Sequence, residues 1–378
     1  MNCSEIVELP ISCSNLSAYM IDDSLFLYSK KTQTVYGFEK GDAFLFLKID
    51  ELIKKYSYEE IVKCFPTIDS ILIEKVCNLA NGKETVDSIE YEPDMKIGTY
   101  IKDDSSRMYY RVDDVMFAIH YPNKDFFNHL HPVYEHLNAD KQEVKTMVSI
   151  DFIKSGNLWG VQWNDTIIEM YIPKAQLATY LQDNMRTCIN QTQPYLISLH
   201  SASVEKNGNV IVMPAVAESG KTTLTAALVH HGFKLFSDEV TSLDYDGYVH
   251  PLPFCMNVKE GSWYVLSDIY PQLNKKDVHS RFDGQNIRFL PPENIHIGRQ
   301  KASHIVFPKY VSGTKTSLVP ISATEALLKI NKASYQVQDN MEKNKFELIM
   351  KNLISLPKFT LEYSNLEEAI AVIDEIIS

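Results

Sequence analysis

Residues 211–223 constrain the fold of this chain most, because an apolar segment runs into a polar loop and then into a helical pattern. The sequence there is Ile-Val-Met-Pro-Ala-Val-Ala-Glu-Ser-Gly-Lys-Thr-Thr. It fits the phosphate-binding pattern G-x-x-x-x-G-K-[ST], except that Ala215 stands in the place of the first glycine. Gly220 lets backbone N–H groups approach phosphate oxygens, and Lys221 reaches the terminal phosphates. Because Gly-Lys-Thr also occurs by chance at the start of surface helices, the loop alone leaves both interpretations open.

The flanking sequence favours the phosphate-binding interpretation. A β-rich segment at 196–204, an Asn207-Gly208 turn and an apolar segment at 210–213 predict a hairpin. Residues 222–231 predict a helix that Gly232 terminates, and 233–236 predict a short strand. Asp238 and Glu239 follow that strand. We expect both carboxylates to lie near the loop, where one can hold Mg²⁺ and the other can accept a proton.

Several segments, taken in order, resemble the catalytic domain of HPr kinase/phosphorylase. They are 200–205, 214–224, 235–239, 251–254 with 258–259, 288–292, 305–310 and 320–328. The resemblance runs from about residue 197 to residue 378 and is closest to the shorter HPr-kinase-like proteins found beside peptide-modification enzymes. It implies an α/β fold with a P-loop core of the kind shared with PEP carboxykinase.

The resemblance also implies roles for individual residues. It places ATP on the loop and the start of the helix, and it makes Asp238 the base, His200 a neighbour of the transferred phosphate, and Lys221 a catalytic cation. Nucleotide contacts are expected from Ala217, Glu218, Ser219, Gly220, Lys221, Thr222 and Thr223, and Mg²⁺ contacts from Thr222 and Glu239. Glu218 departs from the family pattern, and because a carboxylate facing the triphosphate would repel it, we expect Glu218 to point outward.

Each of these residues also has an ordinary structural interpretation. His200 can be a hydrogen-bonded strand residue, and Asp238 with Glu239 can be a solvated strand end. Four cationic residues could neutralise phosphate charge or simply lie on the surface: Lys259, Arg288, Arg299 and Lys309. Three histidines, His129, His131 and His136, lack partners at a metal-binding spacing, so we expect no metal there.

Composition limits the class of protein. The chain has 378 residues, which predicts two or three domains. A formal net charge of −12 argues against nucleic-acid binding. The six cysteines show no paired spacing, no secretory signal opens the sequence, and no apolar run is long enough for a membrane span. We therefore expect a cytoplasmic protein without a membrane partner, and the resemblance implies a homo-oligomer.

Two regions precede the predicted core. Residues 1–90 predict a hairpin (25–29 and 34–38) and three helices (41–54, 58–64 and 68–80), the second opened by a capping box at Ser57 and Glu60. This α+β plan is winged-helix-like and faintly resembles PqqD-like domains, which hold leader peptides as an added strand. A plain accessory domain is the alternative. The polar stretch 81–88 predicts a linker.

Residues 91–378 predict the catalytic domain. Strands at 108–112, 115–121, 147–152, 160–163 and 167–172 fill its first part, 91–172, as an extension of the core sheet or a separate small domain. The P-loop core is 173–378, with a helix at 173–188, a strand at 359–363 and a closing helix at 366–377.

The resemblance implies an ATP-dependent kinase that transfers the γ-phosphate to a serine or threonine hydroxyl of a peptide or protein, with ribosomal peptide modification as the expected context. Two alternatives remain open at this point, a catalytically silent nucleotide-binding regulator and a peptide-recognition module. A kinase core should keep its ATP turnover without residues 1–90, whereas a recognition module would lose its activity.

Overall fold

The computed structural model describes residues 6–22, 24–38, 40–65, 70–82, 107–155, 157–164, 166–216, 218–333 and 342–378. These residues form a mixed α/β protein in which every sheet is covered by helices or by another sheet. Most of the predicted linker lies outside them. No helix in these ranges combines the length and the apolar character needed to cross a bilayer.

The N-terminal region is a four-stranded antiparallel meander with three helices. Its elements are β1 Ile6–Leu9, β2 Leu16–Ile21, β3 Ser24–Ser29, β4 Val35–Phe38, α1 Lys40–Leu52, α2 Tyr58–Cys64 and α3 Ser70–Ala80. The capping box is confirmed, because Ser57 and Glu60 each accept the other's backbone N–H. The prediction of a two-stranded hairpin was incomplete, since β1 and β2 extend it.

Both faces of the meander are buried, which removed one signal for β2, although β3 is buried in the same way and was predicted. One face of the meander packs on the helices through Leu25, Leu27 and Phe46. The other face packs on the C-terminal part of the chain, where the Tyr28 and Phe346 rings stack with centroids 5.5 Å apart. A strand covered on both sides loses the polar–apolar alternation that marks a half-exposed strand.

The second region forms a five-stranded sheet of its own. It comprises β5 Arg107–Val112, β6 Val115–His120, α4 Lys124–Tyr134, β7 Thr146–Ser155, β8 Leu158–Trp163 and β9 Thr166–Pro173. All five predicted strands are present, while α4 was not predicted. The expectation that this region extends the core sheet was wrong, because its strands pair with one another and contact the core through apolar side chains such as Phe126, Trp159, Phe254 and Phe289.

Helix α5, Leu177–Thr192, connects this sheet to the core. The helix was predicted from residue 173, but Pro173 has an extended backbone with ψ 142° and ends β9 instead. A proline at a strand end satisfies the same sequence pattern as a proline in the first turn of a helix, since neither position needs its missing N–H.

The core contains an eight-stranded sheet, a small three-stranded sheet and helices on both sides. Its elements are β10 Tyr195–Lys206, β11 Asn209–Pro214, α6 Lys221–His230, β12 Lys234–Ser237, β13 Val240–Asp244, β14 Tyr248–His250, β15 Met256–Lys259, α7 Glu260–Ile269, β16 His279–Ser280, β17 Asn286–Leu290, β18 Gln300–Tyr310, β19 Ser317–Pro320, α8 Ala323–Ala333, α9 Lys343–Ile349, β20 Lys358–Tyr363 and α10 Leu366–Ile376.

The directions of four strands place the predicted loop and the acidic residues at the same edge of the core sheet. Strands β11, β18 and β20 are parallel neighbours, and β12 runs the same way because it and β11 are both antiparallel to β10. Their carboxyl ends therefore share one edge of the sheet, which is where open α/β sheets bind ligands. The loop 215–220 follows β11 at that edge, and Asp238 follows β12.

Candidate phosphate-binding site

The loop between β11 and α6 is held in shape by the ends of two other strands. The backbone N–H of Tyr310, at the end of β18, donates to the Ser219 carbonyl at 2.9 Å. The Tyr363 hydroxyl, at the end of β20, donates to the Gly220 carbonyl at 3.1 Å. Gly220 has φ 84°, and a Cβ there would lie 2.7 Å from the Tyr363 hydroxyl oxygen. The position therefore requires glycine for conformation and for space.

The structure explains one of the two departures from the P-loop pattern. Ala215 avoids positive φ and donates its N–H to the His200 carbonyl at 3.3 Å, so it continues the hairpin and does not need to be glycine. Glu218 is exposed and has φ 67°, a backbone conformation that favours glycine, and the structure does not explain a glutamate there. Ala217 lies outside the described residues.

The amino end of α6 faces this loop without a side-chain cap from the described residues. Ser219 Oγ is buried there and has no hydrogen-bond partner in the described part of the chain. Thr223 instead bonds Ser262 of α7 through their hydroxyl groups, 2.7 Å apart. The uncapped N–H groups and positive dipole end of a helix form a favourable environment for an anion.

Lys221 crosses from the loop to the predicted acid pair. Its side chain is 6% exposed, and Nζ donates to the Asp238 backbone carbonyl at 2.6 Å. Nζ also lies 4.0 Å from Glu239 Oε2. A buried ammonium group is costly unless it is paired, so these oxygens fix its position across the site.

Asp238 and Glu239 differ in environment although they are neighbours. Asp238 is 3% exposed, and neither of its carboxyl oxygens has a hydrogen-bond partner among the described residues. The Thr222 hydroxyl approaches this carboxyl group without forming a hydrogen bond of good geometry. Burial raises the pKa of Asp238 against the opposing charge of Lys221. A carboxyl group with a raised pKa and free oxygens is suited to accept a proton.

Glu239 stays ionised. Burial would raise its pKa, but the hydrogen bond with His200 and the charges of Lys221 and Arg186 outweigh burial, so its pKa lies well below the usual range. The His200 Nε2–Glu239 Oε1 distance is 3.1 Å. Strand register explains the contact, because His200 pairs with Val240 across β10 and β13. Two adjacent carboxyl groups whose pKa values are pushed apart can take separate roles as base and as metal ligand.

Comparisons with known proteins do not assign this chain to a family or to a function. No protein-family model matches this chain, and no curated protein is significantly similar to it. The functional interpretation therefore depends on the geometry of the loop and the acid pair.

Arg186 of α5 belongs to the site and was not predicted. Its side chain is 6% exposed, its Nη1 lies 2.9 Å from Asp183 Oδ1, and its guanidinium lies 5.3 Å from the Phe254 ring centroid. Its positive charge opposes the effect of burial on Asp238, whose pKa stays raised, and it contributes to the lowered pKa of Glu239. The helix precedes the segments that resemble a known family. In the sequence of α5, a role for Arg186 is indicated by Gln182 and Arg186, two polar residues four positions apart on a face that is mostly apolar.

The structure does not bring every candidate cation to the loop. Arg299 pairs with Asp244 at 2.5 Å, at the end of β13 opposite to Glu239. Lys309 pairs with Glu362 at 2.7 Å on the surface. The Arg288 guanidinium stacks on Trp263, 4.1 Å from its ring centroid, and Lys259 precedes α7.

The three histidines considered above as metal ligands make ordinary hydrogen bonds. His129 and His136 contact the backbone carbonyls of Lys174 and Pro253, and His131 contacts the Tyr110 hydroxyl. Across the described ranges, no cluster of three or more His, Cys, Asp or Glu side chains has a metal-binding arrangement.

Proposed function

We propose that this chain is an ATP-dependent phosphotransferase that moves the γ-phosphate to a serine or threonine hydroxyl of a peptide or protein. The observation that carries the proposal is the buried, unpartnered Asp238 carboxyl group beside Lys221, at the edge of the sheet where the loop and the amino end of α6 meet. The order of the sequence segments that resemble HPr kinase supports the same class of reaction.

The residues at this edge suit a nucleotide and a magnesium ion. Backbone N–H groups of residues 218–222 and the Lys221 ammonium group would bind the phosphates. The Ser219 hydroxyl, which has no partner among the described residues, would be a further donor to them. The Thr222 hydroxyl and the ionised Glu239 carboxylate are oxygen ligands of the kind that Mg²⁺ prefers. Bound there, Mg²⁺ would neutralise charge on the phosphate oxygens.

Asp238 would act as the base in the transfer. The acceptor oxygen forms a bond to the γ-phosphorus as the bond from that phosphorus to the β–γ bridging oxygen breaks. The electron pair of the broken bond remains on ADP, and the hydroxyl proton moves to Asp238. A base whose pKa is raised toward neutrality holds this proton better than an ordinary aspartate would.

The N-terminal meander is the proposed docking region for a peptide acceptor. Strands β1 and β4 are its edges, and an extended peptide can add to such an edge through main-chain hydrogen bonds. Peptide docking, assembly into an oligomer and a cytoplasmic location belong to the proposal together with the kinase activity.

Calorimetry of Mg²⁺-ATP binding tests the nucleotide site. We expect the wild type to bind and Lys221→Ala to lose binding by at least about tenfold, because a charge-assisted contact to phosphate contributes roughly 1.5–3 kcal/mol. Transfer of labelled γ-phosphate to peptide acceptors tests the base. Asp238→Asn should keep ATP binding and lose transfer, and unchanged transfer in this variant would overturn the assignment of the base.

A catalytically silent nucleotide-binding regulator is the second candidate. The Glu218 carboxylate within the loop and the engagement of Lys221 with the Asp238 carbonyl favour it. This candidate predicts Mg²⁺-ATP binding without any labelled product, and equal nucleotide affinity in the wild type and in Asp238→Asn.

A further inference from the structure

Helix α5 is tied to the end of β12 through the segment 252–257. Gln182 Nε2 donates to the Cys255 carbonyl at 3.2 Å and to Asn257 Oδ1 at 2.8 Å. The Leu252 N–H donates to the Phe236 carbonyl at 2.8 Å, two residues before Asp238. The Arg186 guanidinium lies against Phe254 of the same segment. These contacts hold Arg186 against the segment that is bonded to the end of β12, and its charge acts on both carboxyl groups of the acid pair.

The ion pair with Asp183 does not account for an arginine at this position. The Asp183 side chain is 56% exposed, whereas that of Arg186 is 6% exposed. The guanidinium charge also acts on the carboxyl groups of Asp238 and Glu239, so the acid pair gives a second reason for a buried arginine at this position. Buried charges grouped with carboxyl groups of shifted pKa are characteristic of functional sites.

We propose that Arg186 contacts the phosphoryl group during transfer, so that Lys221 and Arg186 place two fixed positive charges around it. This inference rests on the proposed phosphotransferase function. During transfer the acceptor oxygen bonds to the γ-phosphorus, the bond from that phosphorus to the bridging oxygen breaks, and the hydroxyl proton moves to Asp238. Negative charge meanwhile spreads over the three equatorial oxygens of the phosphoryl group. A planar guanidinium donates two parallel hydrogen bonds to such oxygens, which an ammonium group cannot do.

Binding of a transition-state mimic tests Arg186 without an identified acceptor. Calorimetry would measure the affinity for Mg²⁺-ADP alone and for Mg²⁺-ADP with aluminium fluoride, which imitates the phosphoryl group in transfer. We expect the wild type to bind the fluoride complex at least about 100-fold more tightly than ADP. Arg186→Met should lose most of this preference while its affinity for ADP changes less than about threefold, and Arg186→Lys should recover part of it.

Arg107→Met is the matched control, because Arg107 is also a buried arginine with an aspartate partner. Its side chain is 2% exposed, and it pairs with Asp151 at 2.8 Å in the five-stranded sheet. Both methionine variants should lower the melting temperature, but Arg107→Met should keep the preference for the fluoride complex.

Three results would overturn the inference. Arg186→Met could keep the wild-type preference, or it could weaken ADP and the fluoride complex equally, which indicates a general structural role. A wild type that binds ADP without any preference for the fluoride complex also contradicts it. A wild type that binds neither ligand contradicts the nucleotide site itself and so removes the proposed function together with the inference.

Discussion

At the scale of single residues, the backbone of the loop depends on side chains that are far away in the sequence. Gly220 lies under Tyr363 and Tyr310, whose side chains come from the ends of β20 and β18. The sequence pattern predicted the glycine from its role toward phosphate. It gave no indication of these tyrosines, because strand order is a long-range property that local sequence does not encode.

Gly220→Ala should destabilise the protein and weaken Mg²⁺-ATP binding. The added Cβ meets the Tyr363 hydroxyl oxygen at 2.7 Å in a left-handed conformation, so we expect a loss of about 2–4 kcal/mol in the free energy of unfolding, measured in urea. Gly208→Ala is the control, since Gly208 has φ 81° but a Cβ there meets nothing within 4 Å. Equal losses in both variants would show that backbone conformation alone sets the cost.

Asp238→Asn should raise the stability at neutral pH while removing the proposed activity. Because burial raises the folded-state pKa of Asp238, its carboxyl group is destabilising when ionised. The protonated carboxyl group contributes to stability below its unfolded-state pKa, and this contribution is lost as the pH rises through the folded-state pKa. Above that pH the variant with neutral asparagine should therefore be more stable than the wild type. Melting temperatures at pH 5 and pH 8 measure this. A lower melting temperature for the variant at pH 8 would contradict it.

At the scale of elements, local signals were sufficient for β10, β11, α6 and β12, where turn residues and helix ends agree with the apolar pattern. They were insufficient for β1 and β2, which were not predicted, and for the start of α5, where Pro173 fits either element. The site divides in the same way. His200, Lys221, Asp238 and Glu239 come from one continuous segment and were predicted, whereas Arg186 comes from a helix that only tertiary packing brings to them.

Tyr363→Phe tests whether the end of β20 positions the loop. Loss of the hydrogen bond to the Gly220 carbonyl should lower the free energy of unfolding by about 1 kcal/mol and weaken Mg²⁺-ATP binding severalfold. Tyr270→Phe is a suitable control, since its hydroxyl donates to the Ala226 carbonyl within α6, at a residue deeper in the helix. If both variants weakened ATP binding equally, the effect would reflect general loosening of the core.

At the scale of the whole molecule, His250 links the five-stranded sheet to the core. Its Nδ1 lies 3.0 Å from Asp113 Oδ2, in the turn between β5 and β6, and its Nε2 lies 3.1 Å from Asp244 Oδ2. Tyr195 donates to Asp113 at 2.6 Å, and Arg299 pairs with Asp244. Burial lowers the pKa of His250, but these two carboxylates outweigh burial and raise it above 6.5.

The contribution of His250 to the stability of the wild type should therefore decrease as the pH rises above about 6.5, whereas buried histidines with a lowered pKa, such as His279, act in the opposite direction. A raised folded-state pKa means that the contribution of His250 is complete below its unfolded-state pKa and is lost as the pH rises through the folded-state value. The advantage of the wild type over His250→Gln in unfolding free energy should therefore shrink as the pH rises from 6 to 8. A variant profile parallel to that of the wild type between pH 6 and pH 8 would contradict the role of His250.

The second face of the N-terminal meander has a consequence for synthesis on the ribosome. Tyr28 stacks on Phe346, and the Tyr19 hydroxyl donates to Glu347, so strands made first are completed by a helix made near the end. About 320 residues separate these contacts, which corresponds to roughly 15–60 s of translation. During that time the apolar face of the meander that packs on the C-terminal part of the chain is not covered by it. Nascent chains of this protein should depend on chaperones, and removal of residues 1–90 would expose the complementary surface of the core.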